Sequence, residues 1–380
     1  MDIKGLREKI DEIDGQLVKL FEERMRVSGE IGRYKNEIGM PVLDPERERA
    51  KLKEIYDSCD PQAADYAEKL YSYIFELSRS YQNDLKQEKC ETSKRIAKAL
   101  ESTNREFPVR PTVACQGEEG SYSQQAAEKL FKSPGIMHFG AFEDVFSAIK
   151  QGLCTYGVLP VENSTAGSVN RIYDLMMEND FSIIRSIRVK VDHCLLANRG
   201  TKISDIREIY SHSQAISQCS DFLHTLKDVK IIPCENTAAA AKAVSESGKT
   251  DRASISSGVC AALYGLDCLS SSIQNNDNNY TRFICISKNL EIYPGSDKTS
   301  IMMILPHRPG ALYRVLACFY ALGINLIKLE SRPLPGSNFE FMFYFDLDAS
   351  VYSPEFQNLF DCLEGLYTQM KYLGSYSEIV

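Results

Sequence analysis

Residues 275–287 read NNDNNYTRFICIS, a polar run that leads directly into an apolar segment. Asn and Asp favour loops because their side chains hydrogen-bond to the nearby backbone, whereas FICI is rich in residues that favour strands. The stretch therefore predicts a loop that delivers Thr281 and Arg282 to the first positions of a buried strand. That loop is either a solvated linker or the polar edge of a ligand cleft.

Apolar segments of the same kind recur upstream, separated by helix-like segments that contain Gly. The strand candidates are TVAC (112–115), YGVLPV (156–161), SIIRSI (182–187), KIIPC (230–234), RASIS (252–256) and TRFICI (281–286). This alternation is typical of an α/β domain, which we place at residues 109–290. Polar residues follow several strands, at 162–165, 211–218 and 236–237. Ligand sites of α/β folds lie at such strand ends, although each junction alone is also consistent with helix N-capping.

An apolar stripe with helical spacing runs through the first part of the N-terminal segment, residues 1–88. Its members are Leu6, Ile10, Ile13, Leu17, Leu20 and Phe21. Asp44, Pro45 and Glu46 mark the beginning of a second helix, and a third helix follows Pro61. Three helices with one very long member make a thin monomer, so we expect a second copy of the chain to pack against it.

The C-terminal segment, residues 297–380, has a third pattern. Its predicted elements are strand 299–305, helix 309–323, strands 324–333 and 338–348, helix 353–370 and strand 371–376. This βαββαβ order predicts a ferredoxin-like α+β domain. The charged residues 89–108 fit a linker between the helical and α/β segments. We thus expect a multidomain protein with one all-α, one α/β and one α+β domain.

Composition and charge narrow the possible functions. A chain of 380 residues is expected to form two or three domains, and its net charge of −8 argues against binding to nucleic acid. No signal peptide or apolar stretch of membrane-spanning length is visible, so we expect a cytoplasmic protein without a membrane partner. Twelve Cys without a CxxC pair, and five His without metal-ligand spacing, predict reduced thiols, no metal and no cofactor.

Several polar residues of the helical segment share faces. Arg24 and Lys35 are 11 residues apart, which returns them to within about 20° on one helix face. Arg7 is rotated by roughly 100° from Arg24, so it points to another face. Ser78 and Gln82 are spaced i, i+4 and share a face of the third helix. By spacing alone, solvated charges on the helix surfaces are the favoured interpretation of these residues.

Four segments in the same order resemble the all-helical chorismate mutase family: LREKIDEID (6–14), ERMRVSGEIGRYK (23–35), DPERERAKL (44–52) and ELSRSYQ (76–82). The resemblance implies an intertwined dimer that rearranges chorismate to prephenate. It also implies that Arg24, Arg47 and a partner's Arg7 hold the two substrate carboxylates. Further implied site residues are Lys35 and Gln82 at the ether oxygen, Glu48 and the backbone at Asp44 at the hydroxyl, and Ser78 at the pocket wall. A pericyclic rearrangement needs only a folded substrate and fixed charges.

The α/β segment resembles prephenate dehydratase in GEEGSYSQQAA (117–127), PVENSTAGSV (160–169), SHSQAISQC (211–219), ASISSGVCAALYGL (253–266) and NYTRF (279–283). The resemblance implies two lobes, similar to periplasmic binding proteins, that close over prephenate. It assigns the catalytic positions to Asn163, Gln218 and Thr281, with Thr281 donating to the leaving hydroxyl. The substrate-binding positions would be Glu162, Ser164, Ser211 and Arg282. The chain has no GxSxG motif, so a serine hydrolase is poorly supported.

RPGALYRVL (308–316) and LESRP (329–333) resemble the ACT domain attached to prephenate dehydratases. The resemblance implies a site for L-phenylalanine as inhibitory effector. Its residues would be Gly310, Ala311, Leu312, Glu330, Ser331, Arg332 and Pro333. The alternative is a ferredoxin-like domain used only for dimerisation.

Together the resemblances predict a bifunctional enzyme of phenylalanine biosynthesis, a homodimer or homotetramer, that acts on chorismate and prephenate. One alternative is a non-catalytic two-lobed sensor of amino or keto acids. A second alternative is a dehydratase whose mutase segment is silent.

Overall fold

The computed structural model describes residues 2–85, 90–334 and 340–380. Its contacts divide the chain into two units. Met1–Lys98 and Ile301–Lys371 form the first unit, and Ala99–Ser300 and Tyr372–Val380 form the second. The predicted boundary between residues 88 and 89 lies outside the described residues.

The N-terminal part is helical, as the apolar spacing predicts. The helices are α1 (Ile3–Glu37), α2 (Pro45–Ser58), α3 (Ala64–Asp84) and α4 (Glu91–Ser102). Asp44 caps α2 by accepting a hydrogen bond from the Arg47 amide at 3.0 Å, with Pro45 at the first helical position. This confirms the predicted helix start. Helix α4 lies inside the segment that the sequence suggested as a linker.

Two glycines let α1 and α3 approach closely. A Cβ atom at Gly32 would lie 2.8 Å from Gln82 Cγ and 3.2 Å from the Gln82 Cα. A Cβ atom at Gly29 would lie 2.9 Å from the ring of Tyr81. The absence of side chains at these two positions therefore fixes where α3, and with it Gln82, lies against α1.

The predicted apolar stripe of α1 is largely exposed in this single chain. The exposed fractions are 56% for Ile10 and Ile13, 54% for Leu17 and 64% for Leu20. A helix usually buries its apolar stripe against another element. Within a single chain, the described residues leave the apolar stripe of α1 uncovered.

The second unit contains two sheets, and this confirms the predicted α/β texture. One sheet has the strand order β16-β5-β11-β3-β1-β2, with β4 paired to β3, and the other has the order β10-β6-β9-β7-β8. The strands of the first sheet are β1 (Thr112–Gln116), β2 (Gly135–Phe139), β3 (Tyr156–Asn163), β4 (Gly167–Ser168), β5 (Ser182–Lys190), β11 (Tyr280–Ser287) and β16 (Glu378–Ile379). The strands of the second sheet are β6 (His193–Ala197), β7 (Glu208–His212), β8 (Lys230–Cys234), β9 (Arg252–Ser257) and β10 (Asp267–Ser270).

Helices cover both sheets, each of which has its own apolar core. The helices are α5 (Tyr122–Leu130), α6 (Phe142–Lys150), α7 (Asn170–Glu178), α8 (Ser213–Gln218), α9 (Ser220–His224), α10 (Thr237–Ser247) and α11 (Val259–Tyr264). Val113, Val158 and Phe283 belong to one core, and Leu195 and Ile255 to the other. The second unit is therefore two-lobed.

The chain crosses between the lobes at two places. Residues 191–192 lead from β5 to β6, and residues 271–279 lead from β10 back to β11. The polar run NNDNN is thus the return crossing, as expected of a loop beside a cleft. Strand β11 then enters the first sheet between β5 and β3, antiparallel to both.

The C-terminal elements follow the predicted βαββαβ order. They are β12 (Lys298–Ile304), α12 (Ala311–Ala321), β13 (Asn325–Pro333), β14 (Phe341–Asp348), α13 (Pro354–Leu363) and β15 (Gln369–Tyr376). The sheet order is β13-β14-β12-β15. The fourth predicted element began at residue 338, but residues 338 and 339 lie outside the described residues.

One expectation about cysteine is wrong. Cys318 of α12 and Cys362 of α13 form a disulfide with a Cα–Cα distance of 6.2 Å. The two helices pack side by side, a proximity that a sequence separation of 44 residues does not reveal. The other ten cysteines, all within the described residues, are free thiols, and most are buried.

Candidate active sites

The first polar cluster lies where β3 ends beside the beginning of β11. The antiparallel register places Thr281 opposite Asn163, and Asn163 Nδ2 donates to Thr281 Oγ1 at 3.0 Å. Both side chains are buried, with 7% of Asn163 and 9% of Thr281 exposed. The hydroxyl oxygen of Thr281 is the acceptor in this bond, so its hydrogen can be donated elsewhere.

The amide of Asn163 is held in one orientation. Its Oδ1 accepts from the backbone amides of Thr165 at 3.1 Å and Ala166 at 2.9 Å, and from the Thr165 hydroxyl at 2.7 Å. Its Nδ2 also donates to Asn279 Oδ1 at 2.8 Å. Because a backbone N–H is always a donor, these bonds fix which end of the amide faces Thr281.

Gln218 joins the cluster from the second lobe. Its Nε2 donates to Thr165 Oγ1 at 2.7 Å, and its Oε1 accepts from Asn279 Nδ2 at 3.0 Å. His193 Nε2 lies 3.0 Å from the same Oε1. Asn163, Thr281 and Gln218, which the sequence suggested as catalytic, therefore belong to one continuous hydrogen-bonded cluster between the lobes.

Besides Thr165, the cluster contains two members with no role assigned from the sequence, His193 and Asn279. His193 is 2% exposed and begins β6 at the first crossing between the lobes. Burial lowers the pKa of His193, which favours the neutral ring and a donor role for Nε2 toward Gln218. The signal that could have found both residues is their place at the two crossings, one in VDHC and one in NNDNN.

A cavity of about 330 Å³ adjoins the cluster. Its lining residues are Thr165, Ala166, Gln214, Ser217, Gln218, Gln274, Asn275, Asn276 and Asn279. All of these side chains are neutral, and most carry amides or hydroxyls. The cavity can therefore accept a small polar ligand through hydrogen bonds rather than through ion pairs.

Four other residues expected at the substrate lie elsewhere. Ser164 Oγ donates to the Asn278 carbonyl at 2.9 Å and accepts from the Tyr280 amide at 3.0 Å, which fastens the crossing loop to β3. Ser211 is fully buried, and its hydroxyl donates to the Ile255 carbonyl at 2.7 Å. The contacts of both residues thus support the scaffold of the cleft.

Glu162 and Arg282 face away from the cluster. Neighbouring strand residues point to opposite faces, so Arg282 points away from the face of Thr281, and Glu162 from that of Asn163. Arg282 Nη2 donates to the Tyr376 hydroxyl at 2.8 Å, and its Nε lies 3.1 Å from the carboxylate of Glu378. The structure therefore does not bring Glu162 or Arg282 to the cluster, because strand alternation separates them from it.

The second polar cluster lies between α1 and α3. Arg24 Nη1 donates to Ser78 Oγ at 2.5 Å, and Gln82 Nε2 donates to Ser28 Oγ at 2.7 Å. Burial lowers the pKa of the Arg24 guanidinium, whose carbon also lies 5.5 Å from the centre of the Phe75 ring. These helices therefore present a cation and an amide side by side.

The other predicted residues of this site lie near the end of α1 and at the beginning of α2. Lys35 is half-buried and donates to the Val42 carbonyl at 2.7 Å. Glu48, in the first turn of α2, is paired with Arg79 of α3, a residue that the sequence analysis did not assign. Asp44 and Arg47 are exposed at the beginning of α2.

Arg7 is placed far from this cluster in the same chain. It is exposed near the beginning of α1, and the 17 residues that separate it from Arg24 correspond to about 25 Å along a helix. Arg7 of the same chain therefore does not contribute to the site around Arg24.

A third candidate site lies at the beginning of α12. Gly310 has φ of 79°, a left-handed conformation that favours glycine, and directly precedes the helix. Gly310, Ala311 and Leu312 line a cavity of about 280 Å³, together with Phe341, Phe343 and neighbouring residues. Glu330, Ser331, Arg332 and Pro333 are not among the described residues that line it. They lie on the adjacent strand β13, where Ser331 pairs with Phe343 and Pro333 with Phe341.

The described residues 2–85, 90–334 and 340–380 include no helix with the length and apolarity needed to cross a bilayer. The same ranges contain no group of three or more His, Cys, Asp or Glu side chains arranged to hold a metal ion.

The helical part and the two-lobed α/β part, each with its own polar cluster, define a multidomain protein with two candidate active sites in one chain. The family model for chorismate mutase type II matches residues 6–83, and that for prephenate dehydratase matches residues 113–291. The bifunctional chorismate mutase/prephenate dehydratase of Escherichia coli K12 is 32% identical over 386 residues, which cover 98% of this chain and 95% of that protein. The chain belongs to the bifunctional chorismate mutase/prephenate dehydratase family.

Two further comparisons concern the dehydratase part. Arogenate dehydratase/prephenate dehydratase 2 of Arabidopsis thaliana is 38% identical over 279 residues, which cover 70% of this chain and 73% of that protein. The crystal structure of a prephenate dehydratase from Arthrobacter aurescens in complex with L-Phe has a TM-score of 0.64 and 27% identity, and the match covers 70% of this chain and 90% of that one. This chain is accordingly an enzyme of aromatic amino acid biosynthesis with mutase and dehydratase domains.

Proposed function

We propose that this chain converts chorismate to prephenate at the α1–α3 cluster and prephenate to phenylpyruvate at the cluster between the two lobes. The observation that carries the proposal is the bond from Asn163 to Thr281 inside a network that Gln218 completes from the opposite lobe. That network holds the Thr281 hydroxyl behind Thr165, Gln218 and Asn279, the network members that line the neutral cavity where a ligand can bind.

The dehydratase step joins two bond cleavages. The bond to the departing CO₂ breaks, its electron pair enters the ring, and the ring carbon releases its hydroxyl as the aromatic ring forms. Negative charge develops on the leaving oxygen. The Thr281 hydroxyl, whose oxygen already accepts from Asn163, is oriented to donate its hydrogen to that oxygen, and a preorganised donor of this kind stabilises the transition state.

The mutase step needs no acid, base or nucleophile. Arg24 and Arg47 would bind the substrate carboxylates, and Lys35 and Gln82 would donate to the ether oxygen as its bond to carbon breaks. The placement of Gln82 against Ser28 at 2.7 Å, and of Arg24 against Ser78, supports these roles. Fixed donors that hold a folded substrate account for acceleration of such a rearrangement.

A second copy of the chain would complete the mutase site. The stripe of α1 that includes Ile10, Ile13 and Leu17 is more than half exposed in one chain, and Arg7 lies about 25 Å along α1 from Arg24. Antiparallel packing of two α1 helices would bury the stripe and bring a partner's arginine to the site. Sedimentation should show a dimer or tetramer. Arg7→Ala should lower mutase activity without dissociating this oligomer.

We also assign the C-terminal domain as an ACT domain that binds L-phenylalanine as feedback inhibitor. The support is the cavity lined by Gly310, Ala311 and Leu312 together with the L-Phe complex of the A. aurescens relative. L-Phenylalanine should lower dehydratase activity, and Leu312→Asp should make the enzyme insensitive to it. Activity that stays constant across millimolar L-phenylalanine would contradict the assignment.

One assay separates the proposed function from its alternatives. Purified protein is incubated with chorismate, and prephenate and phenylpyruvate are followed separately. Production of both in sequence supports the proposal. Prephenate turnover without chorismate turnover indicates a silent mutase, and ligand binding without turnover indicates a sensor.

A further inference from the structure

A chain of four charged side chains runs from the mutase site to the first helix of the C-terminal domain. Glu48 of α2 pairs with Arg79 of α3. Arg79 Nη2 lies 4.0 Å from Glu76 Oε1, and the same oxygen lies 3.7 Å from Arg314 Nε of α12. All four residues belong to the first unit of the chain.

These charges are largely removed from water. The exposed side-chain fractions are 14% for Glu76 and Arg79, 23% for Arg314 and 25% for Glu48. Among the described residues, Glu76 Oε2 and Arg314 Nη2 have no hydrogen-bond partner. The network therefore has two positive and two negative side chains, but not all of their polar atoms form hydrogen bonds. Loss of one side chain would leave the charge of its partner uncompensated in a partly buried position.

Both contacts of Glu76 are long, 4.0 Å to Arg79 and 3.7 Å to Arg314. Burial raises the pKa of Glu76 and lowers the pKa of Arg314, so for each group lost hydration outweighs attraction to its partner. At 3.7 Å, Glu76 and Arg314 lack a direct hydrogen bond. A small movement of α12 would therefore change the field at Glu76 substantially.

The two ends of the network lie at functional positions. Glu48 is the carboxylate that the family resemblance places at the substrate hydroxyl. Arg314 is two residues beyond Leu312, in the first turn of the helix whose beginning lines the 280 Å³ cavity. A ligand in that cavity contacts the same turn of α12 that carries Arg314.

Building on the proposed function, we propose that Arg79 is a positioning residue that aims Glu48 in the mutase site, and that Arg314 and Glu76 couple this positioning to ligand in the cavity beside α12. The mutase is thereby regulated through α3, by a route separate from the effect of the ligand on the dehydratase.

The positioning half is tested by a double-variant cycle in the full-length enzyme. Arg79→Met should lower mutase kcat roughly tenfold, because a hydrogen bond to a charged group is typically worth that much, and Arg79→Lys should recover most of it. If Arg79 acts through Glu48, Arg79→Met combined with Glu48→Gln should be no slower than Glu48→Gln alone. If the decreases in mutase kcat of the two single variants multiply in the double variant, Arg79 does not act through Glu48 and the positioning role is wrong.

The folding of each variant is checked in the same preparation. Dehydratase kcat should be unchanged in Arg79→Met, and the thermal transition should be recorded by circular dichroism. Arg26→Gln is the matched control, because it removes the exposed pair of Arg26 with Glu30 on α1. That variant should keep wild-type mutase kinetics.

The coupling half is tested with Arg314→Gln and L-phenylalanine. The wild-type mutase should respond to L-phenylalanine, and the mutase of Arg314→Gln should lose that response while its dehydratase remains inhibited. A wild-type mutase that ignores L-phenylalanine while the dehydratase responds would overturn the coupling. If neither activity responds, the effector assignment fails and the coupling fails with it, whereas the Arg79 cycle still decides the positioning.

Discussion

Removing the hydroxyl of Thr281 should stop the dehydratase while the mutase continues. Thr281→Ala deletes the one group at this position that can donate to the leaving oxygen. Loss of a preorganised hydrogen-bond donor typically lowers kcat by about 10²–10³-fold. We expect phenylpyruvate formation to fall by that factor, and chorismate consumption to stay within about twofold, since the mutase residues lie on other elements.

The cost of this change to stability follows from the contacts of Asn163. Its Nδ2 keeps the bonds to Asn279 at 2.8 Å and to the Tyr280 carbonyl at 3.3 Å, and it loses the acceptor that Thr281 Oγ1 provides at 3.0 Å. Loss of one hydrogen bond by a donor that keeps other acceptors costs about 0.5–1.5 kcal/mol. The dehydratase domain should therefore remain folded, with a modestly lower thermal midpoint.

Thr281→Ser is the matched control, because it keeps the hydroxyl and removes only a methyl group. It should retain most of the dehydratase kcat while sharing part of the stability loss. The assay follows phenylpyruvate from prephenate and, separately, the disappearance of chorismate. If Thr281→Ala keeps more than a tenth of wild-type dehydratase activity, or if both activities fall together, the role given to Thr281 is wrong.

Three further predictions concern other contacts. Gly32→Ala should lower the thermal midpoint and the mutase kcat, since the new Cβ would lie 2.8 Å from α3, whereas Gly15→Ala, which meets nothing within 4 Å, should do neither. Glu378→Gln should lower dehydratase kcat with a smaller change in KM, because it weakens the 3.1 Å pair that fixes Arg282 and with it the beginning of β11, the strand that carries Thr281; unchanged kinetics would contradict it. His193 has a lowered pKa, so the unfolded state binds more protons below about pH 6.5 and stability should fall as pH decreases through that range. A titration by denaturant should show a smaller fall in His193→Gln.

Much of the fold could be predicted from the sequence, because the elements concerned depend on local residue patterns. The spacing of Leu6, Ile10 and Ile13 marks α1, Asp44 caps α2, and the alternation of short apolar segments gives the two sheets. The polar run before Thr281 also indicated the loop that crosses between the lobes, because Asn and Asp favour loops whereas the apolar residues after Arg282 favour a strand. These features depend on residues close together in the chain.

Other features depend on long-range geometry that a single sequence does not display. Arg282 follows Thr281 directly but faces Tyr376 and Glu378, because strand alternation sends neighbours to opposite faces. Arg79 reaches Glu48 only through the packing of α3 on α2. His193 reaches Gln218 only because the two crossings between lobes lie side by side.

The two sites differ in charge, and the difference follows from their reactions. The mutase retains both substrate carboxylates through its transition state, so the cations proposed for them, Arg24 and Arg47, would bind the ground state and still orient the reacting atoms. The dehydratase must expel one carboxylate as CO₂, and the negative charge of that group disperses as the bond breaks. A cation paired with it would stabilise the substrate more than the transition state and slow the reaction. The amides and hydroxyls that line the 330 Å³ cavity avoid this penalty, and they leave Thr281 to act where charge develops.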